Sequence, residues 1–125
     1  MRSETMLFAR DVEATSRWYQ DFLGVASGHG GDEFEMLMDG DRLLLQLHKL
    51  DPSFHDHGVA TDAPLGHGVV VFLHVDDPDA TYAKAKERGI EVVEDIYDNP
   101  EANMRQFTVR DPNGYSIAIC RSAWG

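Results

Sequence analysis

Histidine is the side chain best suited to bind a transition metal or move a proton near neutral pH, and this chain has six. His55 and His57 flank Asp56 in a segment rich in Asp, Pro, Ser and Gly. A His-x-His pair can chelate an ion, but this segment has no hydrophobic period and no obvious third ligand, so the pair reads as solvated loop histidines. His48 ends the run LLLQLH, and strand alternation puts it on the same face as Gln46. By the same alternation His74 shares a face with Val70 and Phe72, whereas His67 points the other way. Histidines on such faces serve more often as hydrogen-bonding groups of a pocket than as ligands. No nucleophile, base and orienting group recur together. The glycines of GHGGD (Gly28–Asp32) open no helix, so they form a turn and not a phosphate cradle. Cys120 is the only cysteine; in an apolar strand it reads as a packed thiol, with no disulfide to form.

The elements that position these groups come in two similar sets. LFARDVEATSRWYQDFLGV is echoed by FLHVDDPDATYAKAKERGIEV, and Asp11 precedes Gly24 by the same 13 positions that separate Asp76 from Gly89. Each set reads as strand, acidic cap, helix, glycine exit. Met6–Ala9 is a short apolar strand, Asp11 caps the helix that follows, and Val12, Thr15, Tyr19, Phe22 and Leu23 form its buried face up to Gly24. Phe34–Met38 and Arg42–His48 flank the Asp39-Gly40-Asp41 turn. Val69–Val75 is almost continuously apolar, the pattern of a strand buried on both faces. Asp77-Pro78 is a cap and first-turn pair for a second helix, in which Tyr82 and Ala85 follow at helical spacing and which Gly89 ends. Strands at Val92–Tyr97, Met104–Arg110 and Tyr115–Arg121 complete the order, the last two joined by the turn DPNG. The expectation is an α+β fold of two βαβββ modules in one domain covering 1–125. Module one spans about 1–50, a linking loop about 51–66, and module two about 67–125.

Composition narrows the partners. A net charge of −11 argues against nucleic acid, whose phosphates would be repelled. It suits a cationic small molecule, although the acids are scattered in the manner of a solubilising surface. No apolar run has the length of a membrane span, and MRSE opens no signal peptide, so membrane association is not expected and a cytoplasmic location is.

The paired βαβββ units, the segment DVEATSRWYQDFLGV and the closing FTVRDPNGYSIAI resemble the vicinal-oxygen-chelate superfamily, which includes glyoxalase I, bleomycin-resistance proteins and extradiol dioxygenases. The resemblance covers nearly the whole chain. It implies that each unit makes a half-cup of mixed sheet, that the two cups enclose a ligand cavity, and that the protein is a homodimer. It also implies where metal-using members place their ligands: here at Glu4, Gln46, Val70 and Ala118. Two of these are aliphatic, and a transition ion needs at least three donor side chains. The similarity therefore points to the metal-free, bleomycin-resistance-like members, with no metal and no cofactor. A displaced site built from Glu4, Gln46, His48 and His74 is the alternative.

Strand faces turned to such a cavity would carry Met6, Phe8, Phe34, Met36, Met38, Phe72 and His74; Tyr97, at a strand end, and Phe107, on a face with Arg105 and Val109, are candidates to border the same space, and parity alone does not choose between them. The expected ligand-binding set is Glu4, Phe8, Gln46, His48, Phe72, His74, Tyr97 and Phe107, holding a small aromatic or cationic compound by stacking and orienting hydrogen bonds. The rival function is a metal-dependent lyase, isomerase or dioxygenase, in which an ion polarises a substrate oxygen.

Overall fold

The computed structural model describes residues 1–122 and divides into two compact units, residues 1–65 and residues from 66 onward. The first contains β1 (Met6–Ala9), α1 (Val12–Leu23), β2 (Ala26–Ser27), β3 (Phe34–Asp39) and β4 (Arg42–Lys49). The second contains β5 (Val70–His74), α2 (Pro78–Glu87), β6 (Val92–Asn99), β7 (Met104–Arg110) and β8 (Ser116–Ser122). Both follow the βαβββ order, and each forms a four-stranded mixed sheet: β1-β4-β3-β2 in the first unit and β5-β8-β7-β6 in the second. In each, the strand before the helix pairs in parallel with the last strand, and the remaining pairs are antiparallel.

Alternation along the strands decides what the helix of each unit covers. In the first unit Leu7, Ala9, Leu37, Leu45 and Leu47 are buried on one face, and α1 packs on β3 and β4 with Val12, Tyr19 and Phe22 buried. Removing such a side chain, as in Leu47→Ala, costs about 2–5 kcal/mol because the site cannot fully collapse. Asp11 accepts from the Ala14 N–H at 2.9 Å, satisfying a free donor of the first turn, and Gly24 ends α1 at φ 71°.

In the second unit Asp77 caps α2 by accepting from the Ala80 N–H at 3.1 Å, with Pro78 in the first turn. Its exit is a Schellman turn: Gly89 N–H donates to the Lys86 carbonyl and Ile90 N–H to that of Ala85. The β7–β8 turn is tied by Asp111, whose Oδ1 accepts from the backbone of Asn113 and Tyr115. Gly66 lies against this turn, and a Cβ on it would stand 2.7 Å from the Gly114 carbonyl oxygen. Only glycine fits there.

One expected feature is corrected. The Val69–Val75 strand is not buried on both faces: Val70 is 53% and Phe72 47% exposed, while Leu73 is buried. β5 is the edge of its sheet, and α2 packs on β6, β7 and β8 and leaves β5 largely uncovered. A run of apolar residues tells only that both faces suit apolar neighbours, not that both receive them.

Candidate functional site

The face of the first sheet opposite α1 is built from two cross-strand rows. Met6, Gln46 and Met36 are register partners, as are Phe8, His48 and Phe34. Residues directly opposite share a face, so the expected grouping of Phe8, Gln46 and His48 with the methionines holds in this unit. Glu4 precedes β1 and is exposed. It pairs with Arg2 at 2.8 Å and accepts from Gln46 Nε2 at 3.4 Å, a long contact between two of the expected polar groups.

The loop after β4 is where the sequence reading falls short. Asp51 opens a tight reversal: its carbonyl accepts from the N–H groups of Phe54 and His55, and its carboxylate accepts from the Ser53 backbone and hydroxyl. Those Ser53 contacts hold the Asp51 carboxyl below its ordinary range. The reversal brings Phe54, His55 and His57 back over the end of β4. Ring centroids lie 5.3, 5.6 and 5.0 Å from that of His48 respectively, and His55 and His57 are 4.1 Å apart. Phe8 closes the group, 5.0 Å from His48 and 5.8 Å from His57. His55 and His57 are exposed, as expected of loop histidines, but they are not isolated in solvent. The missed signal is the Asp-Pro-Ser turn immediately after the strand, which folds residues seven and nine positions downstream of His48 back onto it.

In the second unit Val70, Phe72 and His74 pair with Ser116, Ala118 and Cys120, which pair in turn with Arg110, Thr108 and Gln106. Tyr97 and Glu94 lie opposite Gln106 and Thr108. This face is polar at one side: Gln106 accepts from Asn99 at 3.2 Å and donates to Glu94 at 3.4 Å. Burial, together with Glu94 and Glu101, pushes the Tyr97 phenol up. Phe72, His74 and Tyr97 thus share one exposed face. Phe107 does not. It is fully buried on the opposite face, its ring 5.1 Å from that of Tyr82 in α2, so it is a core residue and leaves the expected ligand-binding set. Cys120 is buried with Sγ 3.6 Å from the Leu73 carbonyl oxygen, and burial pushes its thiol up, as suits a packed and unreactive group.

Two further polar clusters are structural. Glu35 is buried on the helix face of β3, where burial alone would raise its pKa. Hydroxyls of Ser27 and Ser16 (2.7 and 2.8 Å) and the N–H groups of Gly30 and His29 overcome that and hold it at about 2, and the Met36 N–H also donates to it at 2.9 Å. A cleft of about 670 Å³ lies beside the N-terminus of α2, and none of the expected site residues lines it. Both of its guanidiniums are engaged: Arg105 forks Asp79 at 2.7 and 2.8 Å and reaches Asp98 at 3.3 Å, acids that push it up, and Arg121 donates to the Asp76 carbonyl at 2.7 Å.

The donor set expected of metal-using relatives does not fit an ion here. Glu4 and Gln46 can donate, whereas Val70 and Ala118 have no lone pair to offer. Among the described residues the group with the ligand chemistry for a metal is instead His48, His55 and His57.

Similarity to known proteins agrees with the architecture. No curated protein matches the chain significantly. Among solved structures, a glyoxalase/bleomycin resistance protein/dioxygenase from Nocardioides aligns with a TM-score of 0.75 at 23% identity, over 100% of this chain and 87% of that one. A lactoylglutathione lyase from Agrobacterium tumefaciens aligns at 0.72 and 22%, over 97% and 92%. TioX from Micromonospora sp. ML1 aligns at 0.73 and 19%, over 98% and 97%. At these identities the likeness establishes the fold alone. The family model for the Glyoxalase/Bleomycin resistance protein/Dioxygenase superfamily, however, matches residues 3–119, nearly the entire chain, and the chain belongs to that superfamily.

Proposed function

We propose that this protein binds a small aromatic or cationic compound and sequesters it, in the manner of the bleomycin-resistance members, without an ion at the four strand positions that metal-using relatives employ. The observation that carries this reading is the exposure of large apolar side chains on sheet faces that neither helix covers. Phe72 and Tyr97 are 47% and 37% exposed on one such face, and Phe8, Met6, Met36 and Phe34 are half-buried on another. Apolar surface kept open beside a few polar groups is what a small-molecule site needs. His48, Gln46 and Glu4 in the first unit, and His74 in the second, supply the orienting hydrogen bonds. The acidic surface raises the local concentration of cations.

Calorimetric titration with a panel of planar aromatic cations, and neutral aromatics of equal size, tests this. Phe8→Ala and Phe72→Ala should each weaken the best binder about tenfold, close to 1.4 kcal/mol, with cations preferred. Binding no tighter for cations than for neutral analogues, and unchanged in both well-folded variants, would refute it.

The reading also takes the 125 residues as one cytoplasmic domain, the segment about 51–66 linking its modules, and as a homodimer. The rival, a metal-dependent lyase, isomerase or dioxygenase with a displaced ion, draws its support from the histidine cluster after β4, since its other ingredient, a complete set of strand ligands, is missing.

A further inference from the structure

The cluster at the end of β4 adds to His48 two histidines, His55 and His57, that the sequestering function does not use. One nitrogen from each of His48, His55 and His57 lies within 4.8 Å of the others. Three nitrogens around a tetrahedral ion at about 2.0–2.1 Å stand roughly 3.4 Å apart, so the rings need to close by only about an ångström or two. Two of them sit on exposed loop positions free to make that adjustment.

His48 is already prepared for ligation. It is 97% removed from solvent (3% exposed), and its Nδ1 lies 2.8 Å from the Lys49 carbonyl oxygen. A carbonyl only accepts, so Nδ1 carries the proton and Nε2 keeps its lone pair. This is the outer contact that fixes tautomer and ring orientation in metal-bound histidines. Among the described residues, neither His55 nor His57 has a side-chain hydrogen-bond partner, so their ring nitrogens remain available. Asp56 between them is engaged elsewhere, accepting from the Gly58 N–H at 2.7 Å, which shapes the loop without adding a carboxylate to the group. Phe8 and Phe54 pack on the His48 ring and exclude water from one side.

We propose that His48, His55 and His57 form a three-imidazole site for a divalent transition ion of the zinc, cobalt or nickel class. Imidazole donors without carboxylates select these ions over calcium and magnesium, which require oxygen. With three protein ligands, a fourth position stays open to water or a small donor. The site uses none of the positions Glu4, Val70 or Ala118 and does not depend on the sequestering function proposed above.

The test uses tag-free protein stripped with chelator and titrated with Zn²⁺ alone by calorimetry, and with Co²⁺ alone by visible absorption. We expect one equivalent bound with micromolar or tighter affinity and the intense d–d bands of four-coordinate cobalt. His55→Ala and His57→Ala are exposed-loop changes that leave the core intact, and each should weaken binding tenfold or more. His67→Ala and His74→Ala should leave it unchanged. His48→Ala serves as a third probe only if its melting transition matches the parent. Absence of saturable binding, or retention of affinity in the His55→Ala/His57→Ala double variant, would overturn the site. Because only the bare ion is titrated, either result leaves the organic-ligand measurement to stand or fall by itself.

Discussion

Glu35 shows how a single residue can be read wrongly from its neighbours. In FEMLMD it looks like the polar half of an alternating strand, yet alternation puts it in phase with buried Leu37, on the helix side. What makes a buried carboxylate tolerable is nonlocal: Ser16 comes from α1, Ser27 from β2, and the His29 and Gly30 amides from the following loop. The in-phase glutamate was visible in sequence; its donors were not. Because its folded pKa of about 2 lies below the ordinary 4.5, the unfolded chain binds the proton more readily. The stabilisation is therefore complete above about pH 4.5 and is lost as pH falls toward 2. The shift corresponds to on the order of 3 kcal/mol. Urea unfolding between pH 6 and pH 2.5 should show this loss, and Glu35→Gln should flatten that part of the profile while lowering stability at pH 6 by about 2 kcal/mol. An unchanged profile in the variant would mean that other carboxylates carry the acid sensitivity. Phe107 illustrates the opposite ambiguity. Its face could not be chosen from parity alone until Tyr82 was seen against it.

At the scale of elements, the sequence was most informative where the physics is local. A cap residue acts on amides three positions away and a glycine exit on its own dihedral, so Asp11, Gly24, Asp77 and Gly89 were all readable without knowing the fold. The equal 13-residue spacing of the repeat falls on Asp76, but the second cap is Asp77, as the Asp77-Pro78 pair indicated, and Asp76 offers its carbonyl to Arg121 at 2.7 Å. Asp11→Ala and Asp77→Ala should each lower unfolding free energy by about 0.5–2 kcal/mol in denaturant titration, without altering ligand affinity. A loss of binding at native stability in Asp11→Ala would mean that the carboxylate touches the ligand. Elements whose definition depends on distant partners were harder. β2 has only two residues and exists through its pairing with Leu37 and Met38. The loop after β4 was read as a link, and residues 51–65 of it fall in the first compact unit, where Arg10 also reaches the Ala63 carbonyl oxygen at 3.4 Å. Gly66→Ala should be more damaging than an ordinary loop substitution, because the Gly114 backbone occupies the space a Cβ needs and φ is +86°. A melting temperature within a degree of the parent would show that the β7–β8 turn can yield.

For the whole molecule, the decisive question is what covers the edges that the two sheets leave open. β6 is guarded in the usual way, with Glu94, Asp95 and Asp98 along it, charges that discourage pairing with another chain. β5 has no such protection. It is five residues long, VVFLH, with no acid or lysine, and Val69, Val70 and Phe72 are 45%, 53% and 47% exposed. A monomer of charge −11 gains solubility from its acids, yet an apolar edge strand of this kind remains a site for association. Self-association through a closed twofold would use the same surface on both copies, bury that edge, and stop at two chains without propagating. The expected outcome in sedimentation equilibrium is therefore a dimer. Val70→Lys, which places like charges on both copies of a twofold surface, should shift the mass toward monomer as concentration falls. A parent that remains monomeric at all concentrations would remove the dimer. A variant as dimeric as the parent would instead move the interface away from β5, to β1 or to another surface.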